Sequence, residues 1–512
     1  MTNQHDVIPA RGECLVAVSV AIALTAVFWP GLWRGGGLIG GDTYSYYFPQ
    51  KVVYAQQLAD GEIPLWNSLA GHGYPLLAES QTGVFSPFHL IGYRFLSVNT
   101  AYNVVQLLHY ALCFVFTWLY VRRIGRGPAA ALFAGLVFTY AWFPYRISLE
   151  WAVTTGAWLP AALWCTEAFL QTRRWRYALL LAVVTALQLL AGHFHLAFLT
   201  HLTLAIYVPG RLWFAKSGLP SAGSRWKTAG VCAAAIAFGY SLAAVQLAPS
   251  WELKQRSQRA SAGQEQDLRF GHTPVWYWSQ AVVPWMWYGI DADLNARLPD
   301  GDPGTNEIEA HLYFGVIPLA LVLVALFVGA FDRTLWLWLL LGVAALVYTP
   351  GWLLPITEHL PGFSFFLCPG RYSLITSLAV AVIAAAALDR LTSRMSRNAR
   401  GLAFACVFAL TAADLWLVAG QVFTPQVVSD PPIESIERSP VYQILQKHDQ
   451  PVRLFSPGAN LPTMMGVAST PLYLGFGPVE YFDPKTTMPQ PLPFDTPPTP
   501  AQIAWSRRAG VT

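Results

Sequence analysis

The stretch of this 512-residue chain best equipped for chemistry is Gly40-Gly41-Asp42-Thr43-Tyr44-Ser45-Tyr46-Tyr47-Phe48-Pro49-Gln50, just beyond the first long apolar run. A carboxylate delivered to the end of a hydrophobic segment needs a reason, and the two preceding glycines let backbone or ligand approach closely. Asp42 reads either as a general base or metal ligand at a lipid–water boundary, or as a solvated interfacial carboxylate or helix cap. A base there suits a reaction between a lipid-borne donor and a hydroxyl acceptor outside the membrane. Glu79 follows in the same loop, Glu150 lies in a short turn, and Asn306, Glu307 and Glu309 precede the apolar run that starts near Leu312. His193 and His195, at i,i+2, cannot share one helical face, though a tight turn would aim both at one site. They read as ligands for a divalent metal or, more often for such a pair, as hydrogen-bonded turn residues. Arg371, in Leu367-Cys368-Pro369-Gly370-Arg371-Tyr372-Ser373, sits at the mouth of an apolar run. A fixed Arg there either clamps a phosphate with its planar donors or snorkels to lipid headgroups, and Arg146 is a weaker version of the same argument.

The elements that must position these groups are hydrophobic. The chain is 54% hydrophobic and 12% charged, with 21 Trp and a mean hydropathy of +0.39. Soluble domains carry roughly 25% charged residues, so this is an integral membrane protein. The net charge of +4, spread over short loops, points to no nucleic-acid partner. Cys14, Cys113, Cys165, Cys232, Cys368 and Cys406 have neither zinc-site nor disulfide spacing and read as small core residues. The first apolar run ends in Phe28-Trp29-Pro30-Gly31 rather than at a small-x-small cleavage site, which makes it a retained anchor.

Against the roughly 20 residues that cross a bilayer, apolar runs fall at about 14–33, 102–121, 129–145, 154–171, 177–192, 194–213, 228–249, 312–330, 335–350, 372–390 and 402–420. That predicts an all-α polytopic membrane protein of about eleven spans. The distribution of Lys and Arg tests the count. Arg11, Arg122-Arg123-Ile124-Gly125-Arg126, Arg173-Arg174-Trp175-Arg176, the Arg211–Lys227 segment, Arg333, Arg390, Arg394, Arg397 and Arg400 all fall on one side, which makes it cytoplasmic together with the N-terminus. The 34–100 loop, the 250–311 loop, the 350–371 loop and everything beyond residue 420 then lie outside. A membrane domain over 1–420 and an extracytoplasmic segment over 421–512 follow.

The first loop, 34–100, is too long for a helix connection and too aromatic for disorder. Within it, Pro49 to Asp60 predicts an amphipathic surface helix with Val52, Ala55 and Ala59 on one stripe, stopped by Gly61. After residue 420, 16 of the 37 prolines crowd into the last 92 residues, with no further run of spanning length. A small α/β domain is expected there, with strands at 452–455 and 471–474 and an extended stretch from Pro489 to Pro500. The chain ends as though another element were starting, so this domain is expected to be incomplete.

Several of these blocks resemble YfhO-like bacterial membrane proteins of the GT-C glycosyltransferase superfamily. The resemblance rests on Gly41-Asp42-Thr43-Tyr44-Ser45-Tyr46-Tyr47-Phe48-Pro49, on Gly61-Glu62-Ile63-Pro64-Leu65-Trp66-Asn67 with Gly71-His72-Gly73-Tyr74-Pro75-Leu76-Leu77-Ala78, and on Gln81-Thr82-Gly83-Val84-Phe85-Ser86-Pro87. Shorter matches are Leu190-Ala191-Gly192-His193, Glu309-Ala310-His311-Leu312-Tyr313-Phe314-Gly315, and Leu360-Pro361-Gly362-Phe363 through Pro369-Gly370-Arg371-Tyr372. Glu79 stands where that pattern carries Asp. The resemblance implies a GT-C fold in the bacterial cytoplasmic membrane, with Asp42 as catalytic base. It implies transfer of a sugar, with inversion, from a polyprenyl-phosphate donor to an extracytoplasmic glycan or lipid acceptor. Arg371, Glu79, Glu309, Tyr44, His72 and His193 are then the expected substrate-binding residues. Two other classes stay open: a transporter or flippase of lipid-linked glycans, and a non-catalytic envelope assembly protein.

Overall fold

A computed structural model describes residues 9–214, 222–257, 267–288, 294–421, 426–447, 452–456, 459–470, 472–481 and 497–511. Each apolar run predicted from the sequence carries helix: Arg11–Phe28, Val98–Arg123, Pro128–Trp142, Trp158–Thr172, Trp175–Leu190, Phe194–Phe214, the pair Ala222–Leu242 and Ala244–Gln255, Val316–Ala325, Arg333–Tyr348, Ser373–Thr392 and Arg397–Ala419. By length and apolarity, four described helices can cross a bilayer unaided: Arg11–Phe28, Val98–Arg123, Pro369–Thr392 and Arg397–Ala419. The pair Ser224–Leu242 and Ala244–Gln255, bent by 74°, makes a fifth. Val316–Ala325, at 10 residues, rises only about 15 Å, half of a bilayer core. The non-helical residues His311 to Gly315 before it are all buried in protein, the condition under which irregular backbone is tolerated at membrane depth.

The core is built on Ser373–Thr392, in which Leu374 to Leu388 is buried without a break. It packs against Pro128–Trp142, Val316–Ala325 and Arg333–Tyr348. The small side chains of Ala379, Ala381, Ala384, Ala385, Ala386 and Ala387 let these helices approach closely. At Gly342 a Cβ would stand 2.6 Å from the Ala379 Cβ, so only glycine fits that crossing. Arg11–Phe28 and Arg397–Ala419 lie at the periphery and leave Leu15, Ile22, Leu402 and Leu410 exposed. Caps fix two starts: Asp332 accepts from the Leu335 N–H, and Ser396 from the Ala399 N–H.

The first loop is a set of short, well-packed pieces: strand Gly37–Ile39, a π-helical turn Thr43–Tyr47, and helices Phe48–Ala59 and Pro87–Phe95. The Phe48–Ala59 helix corrects the expected stripe. Phe48, Lys51, Val53, Tyr54 and Ala55 are buried whereas Ala59 is exposed, so the helix is sunk into the protein. The inward face carries Phe48, Val53 and Tyr54, and Lys51 is buried with them because Glu150 pairs with its charge at 3.0 Å.

The C-terminal residues pack onto this loop. Gln426–Val428 pairs antiparallel with Gly37–Ile39, and Arg453–Phe455 pairs parallel with Ala468–Thr470. The second strand thus comes just before the expected 471–474, whose described residues Leu472 to Leu474 are not strand. Most of the stretch from Pro489 to Pro500 lies outside the described residues. The helix Pro500–Arg508 follows, opened by a Thr499–Gln502 capping box.

Candidate active site

Asp42 is delivered by the pairing of Gly37–Ile39 with Gln426–Val428. Gly40 and Gly41, at φ of 98° and 52°, then turn the chain so that Asp42 opens the π-helical turn. Such turns expose side chains at a fixed angle and often mark functional positions. The turn is pinned by Thr43 Oγ1 donating to the Ser148 carbonyl at 3.1 Å and by Ser45 Oγ donating to the Gly41 carbonyl at 3.1 Å. The half-buried Asp42 carboxylate accepts a hydrogen bond from the Tyr473 hydroxyl at 3.0 Å. Burial raises its pKa above the ordinary carboxylate value; the Tyr473 bond opposes this, the Glu309 charge adds to it and the Arg371 charge opposes it. Asp42, Glu309 and Arg371 therefore share one electrostatic neighbourhood, although they lie on three separate parts of the chain.

Arg371 is held within the 3-10 turn Pro369–Tyr372 that leads into the core helix. Its Nε donates to Glu309 Oε2 at 2.8 Å, and its Nη2 donates to Glu309 Oε1. The third arm, Nη1, donates to His193 Nε2 at 3.2 Å. The guanidinium lies 4.4 Å from the centre of the Trp151 ring, and the His193 ring stacks on Trp151 at 3.7 Å and 7°. Burial pushes the pKa of Glu309 up, but the charge and hydrogen bonds of Arg371, with a further contribution from Arg146, bring it below the usual range. Arg146 is fully buried behind this pair. It donates to the carbonyls of Glu309 and His311 at 3.1 and 3.2 Å, so it fixes the backbone that carries Glu309.

Glu79 lies one layer away. Tyr46 and Gln81 both donate to its Oε1, and burial pushes its pKa up to about 7. Tyr46 stands edge-on to Tyr473 at 5.7 Å, so Glu79 and Asp42 are linked through two tyrosines. The turn carrying Glu79 is tied to the His193 turn by Ser80 Oγ donating to the Gly192 carbonyl at 2.8 Å. Tyr44 is half-buried in the π-helical turn and packs on the core. His72 is exposed. Arg453 donates to its Nδ1 at 2.6 Å, and its backbone N–H donates to the Tyr481 hydroxyl, so its partners are those of the C-terminal segment rather than those of Asp42.

Of the expected site residues, Asp42, Glu309, Arg371 and His193 come together, Glu79 and Tyr44 adjoin them, and His72 does not. Among the described residues no three His, Cys, Asp or Glu side chains group as they would around a metal ion. No local signal marks Tyr473, in an ordinary Pro-Leu-Tyr-Leu-Gly stretch, or Trp151. Glu150, visible in its short turn, belongs to a second buried cluster whose other members sequence reasoning missed: its Oε1 pairs with Lys51 Nζ at 3.0 Å and with His89 Nε2 at 3.2 Å.

The sequence matches no family model and no curated protein sequence. Solved structures do match in shape. ArnT from Cupriavidus metallidurans, determined bound to undecaprenyl phosphate, superposes with a TM-score of 0.50 at 14% identity, over 90% of this chain and 86% of that one. The arabinofuranosyltransferase AftD from Mycobacteria superposes with a TM-score of 0.52 at 17% identity. The chain shares the fold of these two membrane proteins. The match to AftD covers 92% of this chain but 34% of AftD, so the chain corresponds to about a third of that longer protein. At these identities the likeness fixes the fold of the helical body and leaves the chemistry to the residues of the site.

Proposed function

We propose that the chain is a membrane glycosyltransferase that moves a sugar from a polyprenyl-phosphate donor to a hydroxyl group of an extracytoplasmic glycan or lipid, with inversion at the anomeric carbon. The observation that carries this reading is the convergence of a half-buried carboxylate of raised pKa, Asp42, with the Arg371–Glu309 pair, in a fold shared with a protein solved bound to undecaprenyl phosphate. In one step, Asp42 takes the acceptor's proton, the acceptor oxygen bonds to the anomeric carbon, and the bond from that carbon to the phosphate oxygen breaks with its electron pair. A leaving phosphate needs little acid but gains from fixed positive charge. Arg371 supplies it: Glu309 occupies Nε and Nη2, and Nη1, shared with His193, is the arm that turns to the phosphate. Tyr44, half-buried in the same turn, lines the approach beside the base, and the buried Glu79 supports it from behind through Tyr46 and Tyr473. A raised pKa suits a base, because a proton is drawn to it more strongly than to an ordinary carboxylate.

The topology that serves this reaction has about eleven spans in the bacterial cytoplasmic membrane, a cytoplasmic N-terminus, and both the first loop and residues 421–512 outside. Membership of the YfhO-like group belongs to the same proposal. A transporter or flippase would need charged side chains around a midplane cavity. The candidates for that role are already engaged: Glu167 by Arg211 and Tyr207, Asp389 by Arg400, and Asp414 by the Tyr313 hydroxyl and the Val316 N–H.

The test uses membranes containing the full chain, supplied with a panel of undecaprenyl-phosphate sugars carrying a radiolabel. Label should leave the lipid fraction with wild-type protein and stay there with Asp42→Asn. Transfer that survives Asp42→Asn would refute the role of Asp42, and no wild-type transfer with any donor would refute the reaction.

A further inference from the structure

Residues 459–470 and 472–481 form a strap laid over the first loop. Asn460 Nδ2 donates to the Ser45 carbonyl at 2.9 Å and also to the Tyr473 carbonyl at 2.7 Å. Ser469 exchanges backbone hydrogen bonds with Leu69 and Gly71, both at 2.9 Å. The Tyr74 hydroxyl donates to the Phe476 carbonyl, and the Tyr481 hydroxyl to the Gly73 carbonyl. Tyr473 is therefore fixed twice: its backbone is tied by one Asn side chain to the residue three positions beyond Asp42, and its ring lies edge-on to Tyr46. It is 44% exposed, so water is available to its hydroxyl, yet it donates to Asp42 Oδ1 at 3.0 Å. A surface tyrosine free to choose would hydrate, and this one is built to face the carboxylate.

We propose that the strap belongs to the active site and that Tyr473 is a positioning residue for Asp42: by holding Oδ1 it fixes the carboxylate plane and turns Oδ2 toward the acceptor hydroxyl. Orientation of a base within hydrogen-bond reach of its proton is where such positioning acts on rate. This rests on reading Asp42 as the base. The charged and titratable groups around Asp42 are Tyr473 from the strap, Glu309 and Arg371 from the loops beside the core helices, Tyr47 from its own turn, and Tyr102 from the Val98–Arg123 helix. Of these, Tyr473 is the one that donates a hydrogen bond to the carboxylate. Burial and the nearby Asp42 charge raise its own pKa to about 12, so it stays a donor through the neutral range.

The experiment reads Asp42 directly, without substrate. Dicyclohexylcarbodiimide adds to a protonated carboxyl, and its attachment to Asp42 in the full-length protein is followed by peptide mass spectrometry across pH. Tyr473→Phe keeps the ring and removes the donor, and the labelling midpoint should rise by about one pH unit, the size of one lost hydrogen bond to the charged form. Tyr473→Leu, a second way to remove the hydroxyl, should shift it in the same direction and keeps the test decisive if the first variant does not fold. An unshifted midpoint in a folded variant overturns the proposal. In the transfer assay Tyr473→Phe should lower kcat several-fold and move the acidic limb of the pH profile upward, with the donor KM unchanged. A labelling shift without transfer by any form of the protein would leave the contact standing and sink the glycosyltransferase reading. Transfer that needs Asp42 and ignores Tyr473 would do the reverse.

Discussion

Replacing Glu309 by Gln isolates what the Arg371 pair contributes. Glu309 is 5% exposed and accepts from two arms of Arg371, whose side chain is 15% exposed. Gln keeps one carbonyl acceptor, but its NH2 must then face a guanidinium N–H, so one charge-assisted hydrogen bond is lost and two donors are opposed. Breaking a buried ion pair on one side costs about 3–5 kcal/mol. The His193 contact and the residual exposure of Arg371 put this case at the low end, about 3 kcal/mol. Spread over the unfolding entropy of a 512-residue chain, that is a fall of about 3 °C in Tm. The pH dependence gives a sharper signature. The folded-state pKa of Glu309 is lowered, so its contribution is present above the unfolded carboxylate value and is lost as pH falls through the folded one. Scanning fluorimetry of the detergent-solubilised protein should therefore show the full gap at neutral pH, closing only in strong acid. Equal melting at neutral pH, or a gap that persists in strong acid, would refute the assignment of Glu309 as the ionised partner of Arg371. Removing the Glu309 charge also removes one cause of the raised Asp42 pKa, so the acidic limb of transfer should move down in pH, opposite to Tyr473→Phe.

Three further outcomes follow from the buried groups. Glu79, raised from 4.5 to about 7 by burial, destabilises the fold increasingly as pH rises between those two values; Glu79→Gln should melt with wild type in acid and, above neutrality, be more stable by up to about 3 kcal/mol in unfolding experiments. Lys51→Met and Glu150→Leu should each destabilise by about 3–5 kcal/mol because each strands a buried charge, whereas the double variant should recover most of the loss in a double-mutant cycle of denaturation midpoints. Gly342→Ala should cost about 1–3 kcal/mol by forcing two helices apart, and Ala379→Gly on the facing helix should restore the wild-type melting temperature.

What was legible in the sequence was local. Apolar runs predicted the helices, and an acid behind two glycines at the end of a run marked Asp42. The 3.6-residue pattern of Phe48–Ala59 misled, because Lys51 goes inside with Phe48, Val53 and Tyr54, where Glu150, far along the chain, pairs with it. A lone lysine scores as solvent-facing whenever its partner is out of view. Arg371 and Glu309 were both visible as odd charges, but their 62-residue separation hides a bidentate pair behind any periodicity argument. Tyr473 lies 431 residues from Asp42, and an unremarkable tyrosine in a Pro-rich segment carries no local sign of that contact. His72, singled out by its motif, sits instead where the strap meets the loop, so its motif reads as the surface on which the C-terminal residues are laid.

The electrostatics of the site also bear on order of events under the proposed reaction. Asp42 and Glu309 are two acids around one cation, Arg371, and the Arg371 charge is already largely matched by Glu309. A phosphate arriving beside Arg371 adds negative charge to the same neighbourhood and must draw on Nη1, the arm now shared with His193. Like charge disfavours the ionised form of a carboxylate, so donor binding raises the Asp42 pKa further. The acid then becomes a stronger base at the moment an activated sugar is present, and it holds the acceptor's proton more tightly after transfer. The same field favours departure of the lipid phosphate once the proton has been taken, because neutralising Asp42 removes one of the negative charges that compete for Arg371. A site made of one acid, one acid–base pair and a tyrosine that orients the first acid can thus couple donor occupancy to base strength without a moving domain.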